Sequence, residues 1–321
     1  MTKLSLVIPC YFNGMNIPET YQVICRDVFS VRTDIDYELI FVDDGSGDDT
    51  LLQAKIVQNR DPRVKIVKLS RNFGEFRAIV AGLSQMTGDC AVVMSADLQD
   101  PPALIPELLA SWEKGNLVNL AVRKDREESA LKNWFADTYY KLVRAWVEPN
   151  YPKRGFDFFL IDRKVADELV EMQEKNSSIY LQLIWLGYTP TTIEYVRRER
   201  EKGKSMWSFR KRVNLFIDTF VVFSNKPIRF VTGCGLLISL AGLILAIFFI
   251  VDWFRNSIVP GWTSLIVVIL LTSGFQMVMS GILGEYVWRN LDETRKRPLY
   301  VIEKVILPKS EGEKQNENRS E

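Results

Sequence analysis

The segment MSADLQDPP, residues 94–102, sets two carboxylates and an amide directly after an apolar run. Asp97, Gln99 and Asp100 offer hard oxygen ligands of the kind Mg2+ or Mn2+ takes, and an ion held there would neutralise a diphosphate. A second acidic pair, Asp43 and Asp44, leaves another apolar run in FVDDGSGDDT. Asp48 and Asp49 in the same stretch read as the turn and cap of a following helix. Basic residues gather in RREREKGKSMWSFRKR, residues 197–212, where Gly203 and Ser205 point to a mobile loop carrying Arg198, Arg200, Lys202 and Lys204. None of the 321 residues is histidine, which excludes Ser-His-Asp relays, His-ligated zinc and His proton shuttles. Cys10, Cys25, Cys90 and Cys234 lack metal-site spacing and read as buried thiols of a reducing compartment. A net charge of +1 gives no overall field for nucleic acid, so any anion site is local.

These residues need a scaffold, and residues 1 to about 125 supply its pattern. Short β-branched runs at Leu4–Pro9, Glu38–Val42, Val64–Leu69, Ala91–Met94 and Leu117–Val122 alternate with helical patterns near 17–31, 48–60, 74–86 and 102–113. Continuous apolar strands separated by helices predict an α/β fold with a mainly parallel sheet covered on both faces. Ligands of such sheets bind at the carboxyl ends of the strands. Those ends carry Tyr11 and Asn13, Asp43 and Asp44, Arg71 and Asn72, then Ser95, Asp97, Gln99 and Asp100, which one pocket could collect.

The C-terminal third differs. Phe230 to Val251 and Asn256 to Gly284 carry no charge, each long enough at about 1.5 Å per residue to cross a membrane as a helix. Arg210, Lys211, Arg212, Lys226 and Arg229 precede the first stretch and Arg289, Arg295, Lys296 and Arg297 follow the second, so both termini are expected on the cytoplasmic side. Trp253, Pro260 and Trp262 then sit at the far interface. Phe209, Val213, Phe216, Phe220 and Phe223 recur at helical spacing and predict an amphipathic helix on the membrane surface. A stripe of Leu131, Phe135, Leu142 and Trp146 fits either core or membrane contact. The expected organisation is a cytoplasmic catalytic domain over 1–207, an interfacial helix over 208–225, two transmembrane helices within 226–289, and a cytoplasmic tail over 290–321. A strand at 299–307 in that tail could pair with a neighbouring chain, and with the small residues of both helices it predicts a homo-oligomer.

VIPCYFNG, FVDDGSGDDT, KLSRNFGEFRAIVAGL, MTGDCAVVMSADLQDPP and RGFDFFLIDRK together resemble the motifs of family-2 glycosyltransferases, in particular those acting on polyprenyl phosphates. The resemblance runs from residue 4 to about 225. It implies a GT-A nucleotide-sugar domain in which Pro9 and Tyr11 lie near the nucleotide base and Asp44, or its neighbour Asp43, contacts the base or ribose. Asp97 and Gln99 match the metal and diphosphate motif, with Mg2+ or Mn2+ as cofactor. Asp157 matches an acid beside the acceptor phosphate, and Arg123 a basic position after the fifth strand. Arg200, Gly203 and Ser205 match a segment closing over the diphosphate, to which Arg198 and Lys202 add charge. This chain departs from the pattern at Ser95, where Asp is common, at Phe12-Asn13-Gly14, where many members read Asn-Glu, and at Phe159, where Arg is usual.

The implied reaction is inverting transfer of a sugar to polyprenyl phosphate on the cytoplasmic face, with UDP-glucose as the first candidate donor, GDP-mannose next and a UDP-linked aminopentose third. Asp97, Asp157 and Arg200 are the candidate catalytic residues. A processive polysaccharide synthase would need more membrane helices and a Gln-x-x-Arg-Trp motif, which this chain lacks. A membrane-tethered nucleotide-sugar sensor is the non-enzymatic alternative.

Overall fold

The computed structural model describes residues 1–124, 130–175, 177–196, 219, 226–255 and 261–308. The chain divides into two units, Met1–Arg212 with Pro298–Glu321, and Val213–Arg297.

The first unit is built on an eight-stranded sheet of order β7-β5-β6-β4-β1-β2-β3-β8. Its strands are β1 (Lys3–Cys10), β2 (Asp36–Asp43), β3 (Val64–Leu69), β4 (Cys90–Val93), β5 (Val118–Arg123), β6 (Phe158–Asp162), β7 (Thr191–Tyr195) and β8 (Ile302–Ile306). Six strands run one way, and β6 and β8 run against them. The inner strands β1, β2 and β4 are buried along almost their whole length, as a sheet covered on both faces requires. One face is covered by α1 (Ile17–Ile24), α2 (Thr50–Arg60) and α4 (Ile105–Trp112), and the other by α3 (Glu75–Leu83) and α6 (Arg163–Glu171). Leu4, Leu6, Ile8, Leu39, Phe41, Ile66 and Val92 form the centre of the core on the first face, against Ile17, Ile24, Val57 and Leu108. Two further helices, α5 (Ala130–Trp146) and α7 (Ile179–Trp185), also belong to this unit. From α5, Val143 is buried while Trp146 is exposed; the side chains of Leu131 and Phe135 lie outside the described residues.

The strand order reverses between β1 and its two neighbours β2 and β4, which opens a crevice above their carboxyl ends. Because β6 is antiparallel to β4 and β5, its first residues lie at this same edge of the sheet. The expectation of a mainly parallel sheet is thus met, with β1 to β5 and β7 running one way and β6 and β8 against them.

The strand β8 also corrects the expected pairing with a neighbouring chain. It pairs with β3 of its own chain, Val67 opposite Val305 and Lys68 opposite Lys304. Ser70 N donates to the Val301 carbonyl, Lys68 pairs with Glu303, and Gln58 Nε2 donates to the carbonyls of Val64 and Ile306. The β3 edge offers unpaired backbone groups, and the returning tail satisfies them.

The second unit contains two long helices, α8 (Lys226–Arg255) and α9 (Trp262–Thr294). Among the described residues, one stretch, Ile228–Leu245 in α8, is long and apolar enough to cross a membrane, and none of it is buried. A side chain at Gly235 would meet Phe275 and Met279, so the two helices approach there, whereas Gly233, Gly242, Gly274, Gly281 and Gly284 face open space. The expected interfacial helix of 208–225, apart from Thr219, and Pro260 lie outside the described residues, as do the side chains of Trp253 and Trp262.

Candidate active site

The carboxyl end of β1 leads into Tyr11-Phe12-Asn13, a turn closed by Asn13 Oδ1 accepting from Tyr11 N at 2.8 Å. Pro9 stands in β1 opposite Val42 and is partly buried. Phe12 adopts the left-handed region at φ 55, unusual for a bulky side chain, and its ring is half exposed and edge-on to Tyr11. Its N–H donates to Ser46 Oγ, tying the β1 turn to the β2 turn. Asp48 reinforces this tie by accepting from Gly14 N and Thr50 N, the structural part foreseen for it.

Asp43 and Asp44 close β2 and are almost fully buried, but their partners separate them. Asp44 accepts from Phe73 N at 2.7 Å and Gly74 N at 2.9 Å, so its carboxylate holds the turn after β3. Burial raises its pKa against the opposing effect of those two N–H groups, and the Asp43 charge raises it further. Asp43 uses one oxygen to accept from Ser46 N at 2.9 Å; its Oδ2 is buried, with no donor among the described residues. Gly45 lies between the turns in the left-handed region at φ 69, where a side chain would strike the backbone of Arg71 and Asn72. Arg71 is exposed, its guanidinium over the Phe73 ring at 4.4 Å.

The turn after β4 is built on hydrogen bonds among its own polar residues. Ser95 Oγ lies 2.7 Å from Asp97 Oδ1 and 3.3 Å from Asp100 Oδ2. Gln99 N donates to the same Asp97 oxygen at 3.2 Å, and Leu98 between them is left-handed at φ 56. Asp97 is 9% exposed and Asp100 fully buried. Among the described residues no three acidic or thiol side chains converge as a metal cage. A carboxylate, an amide and a hydroxyl are hard oxygen donors, and so small a set fits a Mg2+ or Mn2+ ion that takes its remaining ligands from water and a substrate diphosphate.

Beyond β4 the site changes character. Arg123 ends β5 and Asp157 precedes the reversed β6, and the two form an ion pair. Arg123 is buried; burial alone would lower its pKa, but the Asp157 charge and the Tyr195 phenol hold it above the ordinary arginine value. Gly155 permits the approach to Asp157: it is left-handed at φ 68, and a side chain there would strike Tyr140. Behind Asp157, Phe156 and Phe159 stack edge-on at 5.9 Å and both meet the Tyr180 ring, at 5.3 and 6.2 Å. Phe159 is fully buried, so the position that is usually Arg in the resembling family belongs here to an aromatic wall.

The structure therefore brings Tyr11, Asp43, Asp44, Arg71, Asp97, Gln99, Arg123 and Asp157 to one edge of the sheet. Arg198, Arg200, Lys202 and Ser205 lie outside the described residues. Two groups carry more of the arrangement than the sequence motifs showed: the Ser95 hydroxyl, which bridges two acids, and Tyr195, whose phenol donates to Asp100.

Comparison with known proteins agrees with this geometry. Residues 5–170 match the model of glycosyl transferase family 2. An uncharacterized glycosyltransferase of Bacillus subtilis, YkcC, is 40% identical over 94% of both chains. A prophage bactoprenol glucosyl transferase homolog of Escherichia coli is 36% identical over 94% of this chain and 99% of its own. Among solved structures, the mannosyltransferase PcManGT of Pyrobaculum calidifontis, in complex with GDP-Man and Mn2+, shares the fold with a TM-score of 0.50 and 16% identity, covering 90% of this chain and 87% of that one. A GT-A type α/β domain with a mostly parallel sheet, its strand-end acids in place and its sequence matched along this length, makes the chain a glycosyltransferase, a member of glycosyl transferase family 2.

Proposed function

We propose that this enzyme transfers glucose from UDP-glucose to a polyprenyl phosphate such as undecaprenyl phosphate, with inversion, at the cytoplasmic face of a membrane that its two long helices span. The observation that carries this reading is the meeting, at one sheet edge, of donor-side acids with an acceptor-side ion pair. The bactoprenol relative supports the lipid acceptor and the sugar, and the exposed apolar stretch of α8 supports the membrane.

The buried Asp43 Oδ2, with no donor among the described residues, suits the N–H of a nucleobase, since an unpaired buried carboxylate oxygen is costly. Pro9, Tyr11 and the exposed Phe12 then flank the base, and Arg71 lies beyond it. Asp97 and Gln99 would hold a divalent ion, which when bound would offset charge developing on the leaving diphosphate. Arg198, Arg200, Lys202 and Ser205 add cations and a hydroxyl from the basic segment. The acceptor phosphate has a second pKa near 6 and is largely dianionic at neutral pH, so its oxygen attacks without a strong base. That oxygen bonds to the anomeric carbon as the bond to UDP breaks on the opposite side, giving a β-linked product from an α-linked donor. Asp157, already paired with Arg123, orients the acceptor or a sugar hydroxyl and removes no proton. Since β8 pairs within the chain, a homo-oligomer rests on the helix glycines that face open space, Gly233, Gly242, Gly274, Gly281 and Gly284, and not on Gly235, which is taken up where α8 meets α9.

The test is label transfer by the full-length protein in liposomes containing undecaprenyl phosphate, supplied in turn with UDP-glucose, GDP-mannose and a UDP-aminopentose. Lipid-linked glucose of β configuration is the expected product. Labelling from another donor moves the sugar assignment. Nucleotide-sugar binding with no lipid product from any donor overturns the reading in favour of a sensor.

A further inference from the structure

Asp100, the residue after Gln99, is fully buried, where a carboxylate is stable only with donors around it. One donor is the phenol of Tyr195, the last residue of β7, and its other oxygen lies 3.3 Å from Ser95 Oγ. Tyr195 is itself buried, its ring edge-on to Phe158 at 6.4 Å, and its carbonyl accepts from Lys124 N at 2.8 Å. This fixes the end of β7 beside Arg123 at the end of β5, in register. The Ser95 hydroxyl has one proton to give and two carboxylates in reach. With Tyr195 already donating to Asp100, that proton is left to the nearer acid, Asp97 at 2.7 Å.

We propose that Tyr195 is a positioning residue of the transferase: by satisfying Asp100 it frees the Ser95 hydroxyl to hold Asp97 in the orientation that meets the ion and the diphosphate. The inference rests on the glycosyltransferase reading of the site. Tyr195 acts on Asp97 through Asp100 and Ser95, and its phenol also reaches Arg123. Ser95 is then no defect in a metal motif. A carboxylate in its place would lack the proton and would set a third negative charge beside two acids, one of them fully buried.

The experiment measures Mn2+ binding in the presence of UDP, by electron paramagnetic resonance, on the full-length protein and on Tyr195→Phe, Ser95→Ala and the double variant, with steady-state kinetics alongside. Residues that orient a metal ligand alter metal affinity by about tenfold or more when removed. Tyr195→Phe is expected to weaken Mn2+ binding by about this factor and to lower kcat. Ser95→Ala should do the same, and the double variant should be no worse than either single change, because both act through one hydrogen-bond chain. Should Tyr195→Phe fail to fold, Ser95→Ala at its partly exposed site carries the test. Unchanged Mn2+ affinity in a folded variant, or additive losses, overturns the proposal. A wild-type protein that binds no Mn2+ with UDP overturns the metal-dependent donor reading itself, which is a separate failure.

Discussion

The two halves of the catalytic sheet organise their polar groups by different means. In the half made of β1 to β4, the strands are parallel and their carboxylates are held mainly by backbone N–H groups: Ser46 for Asp43, Phe73 and Gly74 for Asp44, Gln99 for Asp97. In the half made of β5 to β7, one strand is reversed and side chains hold one another, Arg123 with Asp157 and Tyr195 with Asp100. Backbone donors fix a carboxylate wherever the turn forms, so the donor side is set by local structure. The other half needs β5 and β6 in register before Arg123 meets Asp157, and β7 in place before Tyr195 meets Asp100.

Breaking this division should have graded effects. Asp97→Ala removes the carboxylate proposed to face the diphosphate and should lower turnover by about a thousandfold, several kcal/mol of transition-state stabilisation, with the fold retained. Near-normal transfer at saturating Mn2+ would refute its role. Ending the chain after Pro298 removes β8 and bares β3, so the domain should lose a few kcal/mol and UDP should bind more weakly, because β3 leads into the Arg71 turn. Chemical denaturation of the truncated and full chains compares the two, and equal midpoints would mean that β8 is dispensable.

Smaller effects sharpen the contrast between halves. Asp43→Asn should raise the donor KM about tenfold and leave the acceptor KM unchanged, while Asp157→Asn should show the converse. The second variant should also lose about 1 to 2 kcal/mol, less than for a fully buried pair because Asp157 is partly solvated. A crossed pattern would break the assignment of halves. Far from the site, Glu38 lies buried near the start of β2, opposite Ser5 of β1; burial would raise its pKa, but hydrogen bonds from Ser5 and Thr87 and the Lys65 charge hold it below the ordinary value. Its contribution is therefore present above the unfolded glutamate pKa of about 4.3 and is lost as pH falls through the depressed folded value. Glu38→Gln should flatten the acid limb of the stability curve by about 1 kcal/mol in thermal melts from pH 6 to 3.

The donor side was largely legible in the sequence. Its strands are unbroken apolar runs, and each acid follows one directly, so Asp43, Asp44 and Asp97 could be placed at an edge without knowing the sheet order. The choice between Asp43 and Asp44 could not be made, because the donors to Asp44 come from the β3 turn, about 30 positions away. On the acceptor side, Phe158 to Ile161 is a short apolar run that periodicity cannot assign to strand or helix, still less to a direction. Tyr195 reads as one more residue of an alternating strand, and its partner lies 95 positions earlier. Nothing in 299–307 distinguishes pairing with β3 of the same chain from pairing with another.

That last strand has a consequence for how the protein is made. Lys68 and its partner Glu303 are 235 positions apart, and both long helices are translated between them. The emerging sheet therefore carries a bare β3 edge throughout the synthesis and placement of those helices, and the edge is covered only when the tail leaves the ribosome. A chain that stalls within the helices is left with an adhesive strand on its surface, visible to chaperones and proteases. Closure of the sheet thus waits on residues translated after both helices.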